Sequence, residues 1–158
     1  MHIVLVVSLA AGAMLASVGA AHAQGTSPPA LRTLVQTFQE AWDAHDATRL
    51  AELFTDDADQ IMGNGPVTVG RAAIRRWWDT RFAEMERGRR IALTLNSVRL
   101  ISPDVGVINT VGVSADRDPQ GRPRAADEDR GAWVVVNRAG QWRIAALRVH
   151  AAERSPSR

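Results

Sequence analysis

The stretch FQEAWDAHDATRLAELFTDDADQIMGNGPVTVGRAAIRRWW, Phe38 to Trp78, constrains the fold more than any other part of the chain. It reads as two amphipathic helices, a hairpin and a third helix in close succession, an order that builds a cone with a pocket. Ser27 before Pro28 starts the first helix, and Leu31, Leu34, Val35, Phe38, Ala41, Trp42 and His45 then recur on one face to about Asp46. Asp46 caps a short second helix, 47–54, whose stripe is Leu50, Leu53 and Phe54. Thr55-Asp56-Asp57 breaks that pattern, 58–62 reads as a strand, Gly63-Asn64-Gly65-Pro66 as a turn and 67–69 as the returning strand. After Gly70 a third helix sets Ile74, Trp77, Trp78, Phe82 and Met85 on one face, with Gly88 as its terminator.

Three or four long strands are expected next, over 90–100, 105–116, 130–138 and 141–150. Alternation puts Val105, Val107, Asn109, Val111 and Val113 on one side of the second. In the last, Trp142, Ile144, Ala146, Arg148 and His150 share the side taken as inward, and Ala145, Leu147 and Val149 fall on the other. A sheet apolar on both faces has something packed on each, and helices cover only the concave one, so a homodimer is expected through Ala145, Leu147 and Val149. The polar segment 116–129, with two prolines and a glycine, reads as a long hairpin loop, and 151–158 as a flexible tail.

The apolar run from His2 to Ala20 ends in Ala21-His22-Ala23, an A-x-A-like cleavage site, so residues 1–23 read as a secretory signal peptide and 24–150 as one domain. The expected location is periplasmic or secreted, with no membrane attachment after cleavage. Without cysteine, the fold must rely on its core rather than on disulfides, and thiolate chemistry is excluded. The sequence pI of about 10.7 suggests nucleic acid, yet the formal charge is only +2 and all 19 basic residues are arginine. Nothing titrates between histidine and arginine, which inflates the pI, and no nucleic-acid partner is expected. Acids do cluster between Glu40 and Asp59, and arginines between Arg71 and Arg90; solvated helix faces account for both runs.

Phe38-x-x-Ala41-Trp42 with Asp46, Leu53-Phe54-x-Asp56-Asp57-Ala58, Gly70-Arg71 with Ile74, Arg130-Gly131 and Gly140-Gln141-Trp142-Arg143-Ile144-Ala145-Ala146 form an ordered set across the chain. In that order it resembles the nuclear-transport-factor-2-like superfamily, which also holds ketosteroid isomerase and the SnoaL-like polyketide cyclases, and within it the SgcJ/EcaC-type group. The resemblance implies an α+β, cone-shaped nuclear-transport-factor-2-like (cystatin-like) fold, a curved antiparallel sheet wrapped on three helices, commonly dimeric. The isomerase's general-base aspartate, oxyanion tyrosine and protonated aspartate would fall close to Met62, Phe38 and Ala132, none of which can do that chemistry. Against the SgcJ/EcaC-type pattern, Met62, Trp78, Arg148 and Val149 replace groups that are usually polar or histidine, which makes the pocket more aromatic.

The expected ligand-binding residues are Phe38, Trp42, Phe54, Met62, Trp77, Trp78, Asn109, Trp133 and Arg148, around a small apolar or aromatic molecule. Arg148, taken as inward, needs a partner: either a carboxylate such as Asp57 or Asp59, or an anionic group on the ligand. If the protein is an enzyme, His150, Arg148 and Asn109 are the catalytic candidates, for a lyase, isomerase or hydrolase. The two histidines of the domain, His45 and His150, lack the spacing of a helical metal pair; no metal site and no cofactor are expected. A protein-interaction module using the apolar sheet face or the Arg-rich helix is the remaining reading.

Overall fold

The computed structural model describes residues 28–85, 89–115, 120, 122 and 126–152. The expected signal peptide, Ser27, the Gly88 terminator, most of the expected loop and the tail beyond Ala152 lie outside the described residues. The elements run α1 (Pro29–Asp43), α2 (Ala47–Ala51), β1 (Phe54–Met62), β2 (Thr68–Val69), α3 (Arg71–Glu84), β3 (Arg90–Ser102), β4 (Val105–Ala115), β5 (Asp127–Arg138) and β6 (Gln141–Ala151).

The end of α1 shows how local chemistry sets the first corner. His45 takes a left-handed conformation, φ 53°, its N–H donates to Trp42 O, and the Asp46 N–H reaches back to Ala41 O. This Schellman closure usually uses glycine. Here the His45 ring stacks on Phe82 at 5.1 Å with planes 12° apart, a contact that offsets the backbone cost. Asp46 then caps α2 as expected, accepting from the Arg49 N–H at 2.9 Å. At the next corner Gly70, φ 87°, precedes α3, and Arg71 fixes the helix start by donating to Phe54 O and pairing with Asp56 at 2.8 Å.

The six strands form one sheet in the order β2-β1-β6-β5-β4-β3. The expected cystatin-like architecture of a curved sheet with three helices is present, and the sheet is mixed: β1 runs parallel to β6 while every other neighbouring pair is antiparallel. β1 starts at Phe54, within what reads locally as helix, because the Phe54 backbone pairs with Ile144 far along the chain. On the far edge, α1 covers β3: Asp43 Oδ1 accepts from the Ile91 N–H at 2.9 Å and Gln39 Oε1 from the Leu93 N–H at 2.8 Å. These unpaired edge donors would otherwise invite another strand.

The expected faces of β6 are reversed over its second half. Val135 pairs with Ile144 and Val134 with Ala146, so Ala145 is an extra residue, a β-bulge. Ile144 therefore faces the helices, and beyond the bulge so do Leu147 and Val149, while Ala146, Arg148 and His150 turn to the opposite face. Leu147 is fully buried, so the proposed dimer contact through Leu147 and Val149 is wrong. The same register sets Ile108, Thr110, Gly112 and Ser114 of β4 inward with Gly131, Trp133 and Val135 of β5, which leaves Asn109 outside. The core between helices and sheet is built from Leu31, Leu34, Phe38, Trp42, Phe54, Ile74, Trp78, Ile108, Trp133, Ile144 and Leu147, each of these side chains stabilising the fold by about 1.5 to 3 kcal/mol.

Candidate functional site

At one end of this core the packing opens into a cavity of about 110 Å³. α1 contributes Phe38 and Trp42, β1 Met62, α3 Trp77, Trp78 and Arg81, and the inner sheet face Thr110, Gly131, Trp133, Leu147 and Val149. Half-exposed Met85, Arg89 and Asp129 stand at its rim. The aromatic rings brace one another: Phe38 lies 4.9 Å from Trp133 and 6.1 Å edge-on from Trp78, and Trp77 meets Trp78 edge-on at 4.8 Å. Trp78 is pinned further by its Nε1–H, which donates to the buried Gln60 Oε1 at 3.0 Å.

Six of the sequence-predicted residues thus converge on one cavity: Phe38, Trp42, Met62, Trp77, Trp78 and Trp133. The seventh apolar candidate, Phe54, is fully buried in the core and does not line it. The polar candidates lie elsewhere. Asn109 is exposed on the outer face, its amide donating to Ser97 Oγ at 2.9 Å. Arg148 ion-pairs with Asp59 on that same face, and His150 is exposed beside them. Arg148, His150 and Asn109 therefore cannot act together on a molecule in the cavity. The Ala145 bulge and the inward setting of Thr110 are the physical reasons.

What sequence reasoning missed is the polar rim. Asp129, assigned to a loop, is in β5 opposite Gly112 and faces the cavity. Arg89 NH2 donates to Ser114 Oγ at 2.8 Å and pairs with Asp127 Oδ2 at 3.0 Å. Burial pushes the Asp129 carboxyl above the usual carboxylate range and the neighbouring Asp127 charge adds to this, while Arg89 and Arg81 pull it back. The alternation Asp127-x-Asp129-x-Gly131-x-Trp133 was the available signal, since it continues the inward phase of β5.

The open six-stranded sheet, three helices and aromatic cavity define the cystatin-like, nuclear-transport-factor-2-like class of α+β protein. Within it, residues 35–145 match the SnoaL-like domain, and the chain belongs to that family. No curated protein matches the chain. Among solved structures, it is similar to a nuclear-transport-factor-2-like protein with a cystatin-like fold from Novosphingobium aromaticivorans, with TM-score 0.71 and 22% identity over 81% of this chain and 83% of that one. A candidate scytalone dehydratase from the same species matches with TM-score 0.70 and 17% identity, covering 82% of this chain and 87% of that one. A ketosteroid isomerase-like protein from Erwinia carotovora atroseptica matches with TM-score 0.67 and 14% identity, covering 80% and 96%. At these identities the likeness is one of fold.

Proposed function

We propose that the protein is an exported member of the SnoaL-like family, of its SgcJ/EcaC-type group, that binds a small apolar or aromatic molecule. The observation that carries this reading is the 110 Å³ cavity walled by Phe38, Trp42, Trp77, Trp78 and Trp133. An apolar cavity of about 150 Å³ takes benzene, so a single small ring is near the capacity of this one, with any substituent directed out past Met85 and Asp129. An anionic ligand loses its main support once Arg148 lies on the other face. At the rim Arg81 and Arg89 are balanced by Asp127 and Asp129, which favours a neutral molecule. Titration with toluene, followed by tryptophan fluorescence, tests the binding: a saturable change is expected, and none up to the solubility limit would overturn it. Export is tested separately by mass spectrometry of the released protein, expected to begin at Gln24.

Catalysis is the second reading, and Asp129 favours it. A carboxyl held above its ordinary range at the wall of an apolar cavity suits proton transfer in a lyase, isomerase or hydrolase. In this reading Asp129 takes the role first expected of His150, Arg148 and Asn109.

A further inference from the structure

Among the described residues the indole N–H of Trp133 has no acceptor. Trp133 sits in the middle of β5, 2% exposed and on the cavity wall, and its Nε1 is without a hydrogen-bond partner among the described residues. A buried donor left unpaired is costly, and the native exceptions call for an explanation. The neighbouring backbone makes room for it. Gly131 lies two residues earlier on the same face, and a Cβ there would sit 2.5 Å from Thr110 Oγ1 and 2.7 Å from Trp133 Nε1. The indole N–H and the Thr110 hydroxyl therefore crowd over one glycine, both buried, both on the cavity wall. Trp78, by contrast, has its N–H engaged by Gln60.

An indole N–H can only donate, whereas a hydroxyl can donate or accept. Besides the charged and hydroxyl groups of Arg81, Arg89, Ser114 and Asp129, the pair is a polar spot among the rings, methionines and aliphatic side chains of the wall. The wall's cations, Arg81 and Arg89, lie with the carboxylates of Asp127 and Asp129, so the spot suits a neutral acceptor rather than a carboxylate. Resting on the ligand-binding reading above, we propose that the cavity selects a compact, ring-sized neutral molecule bearing a carbonyl or ether oxygen. Trp133 Nε1–H donates to that oxygen, and a turn of the Thr110 side chain about χ1 gives it access. Trp133 is then a specificity-determining residue.

The test compares cyclohexanone with methylenecyclohexane, which differ only in C=O against C=CH2. In the 15N-labelled protein, cyclohexanone should move the Trp133 indole proton downfield saturably, and methylenecyclohexane should not; the signal is assigned by its absence in Trp133→Phe. That variant keeps an aromatic ring and should weaken cyclohexanone about tenfold relative to methylenecyclohexane. Should Trp133→Phe fail to fold, the indole signals are assigned by through-bond and NOE experiments on the 13C,15N-labelled wild-type protein, and the Trp133 shift there decides the matter. Binding of both probes with the Trp133 proton unmoved by cyclohexanone would overturn this inference and leave the cavity reading intact. No saturable shift of any cavity tryptophan with either probe would overturn both.

Discussion

Arg148 and Asp59 form an ion pair across the parallel β6–β1 junction, on the sheet face away from the cavity. Each side chain keeps 34% of its exposure, so water screens the pair and also cushions its loss. Arg148→Met should lower stability by about 1 kcal/mol, chiefly by leaving Asp59 half-buried without its cation. Affinity for toluene or cyclohexanone should be unchanged. Urea denaturation and a ligand titration on this one variant check both halves, and a large affinity loss would return Arg148 to the binding site.

How far the sequence was legible follows from which signals were local. Asp46 as a cap, the Phe38 and Trp42 face of α1 and the Trp78 face of α3 depend on neighbours within a turn or two, and each was readable. Phe54 was misread because its strand pairing is with Ile144, ninety positions away, while its immediate neighbours look helical. Leu147 and Val149 were put on the wrong face because period-two alternation cannot see a bulge, and one extra residue at Ala145 reverses every side chain after it. The aromatic lining of the cavity was therefore legible. The polar rim depended on strand phase and was not.

Gly131 gives the sharpest packing prediction. Its missing Cβ is required by Thr110 Oγ1 and Trp133 Nε1, two groups that cannot both withdraw without disturbing a nearly inaccessible ring. Gly131→Ala should destabilise the fold by about 1 to 3 kcal/mol, although the same change at an open strand position would be mild. The melting temperature of Gly131→Ala against wild type is the check, and no loss would show that the neighbours give way.

We propose that the outer face serves dimerisation, through different residues from those first expected. Val113 and Val134 are exposed there, on adjacent strands of the face that the helices do not cover. Val134→Arg should shift light scattering from dimer to monomer with the fold retained. Leu147→Arg, the variant suggested by unbroken alternation, should instead unfold the protein, since it buries an unpaired charge. A wild-type monomer at micromolar concentration would refute the dimer.

The last prediction concerns pH and rests on Asp129. Its folded-state pKa is raised above the ordinary aspartate range, first by burial and then by Asp127, against the pull of Arg89 and Arg81. A raised acid holds its proton more tightly folded than unfolded, so the unfolded state binds fewer protons in the window between the two values and stability falls as pH rises through it. Glu40 works in the opposite sense: Arg49 and Gln36 donate to it and hold it below 4.5, so its contribution is present above that value and fades as pH drops. Asp129→Asn removes the first slope and leaves the second. Its melting temperature should rise relative to wild type from about pH 5 upward and approach it near pH 3, where both are uncharged at this position. Because Asp129 is only partly buried the gain should be modest, and solvent will have absorbed much of the electrostatic cost. If Asp129 also moves a proton for a bound substrate, the same variant gains stability while losing turnover, a trade-off expected of a group held for chemistry rather than for folding. A melting curve for Asp129→Asn that tracks wild type at every pH would show that burial leaves this carboxyl untouched, and the catalytic reading would lose the observation that favours it.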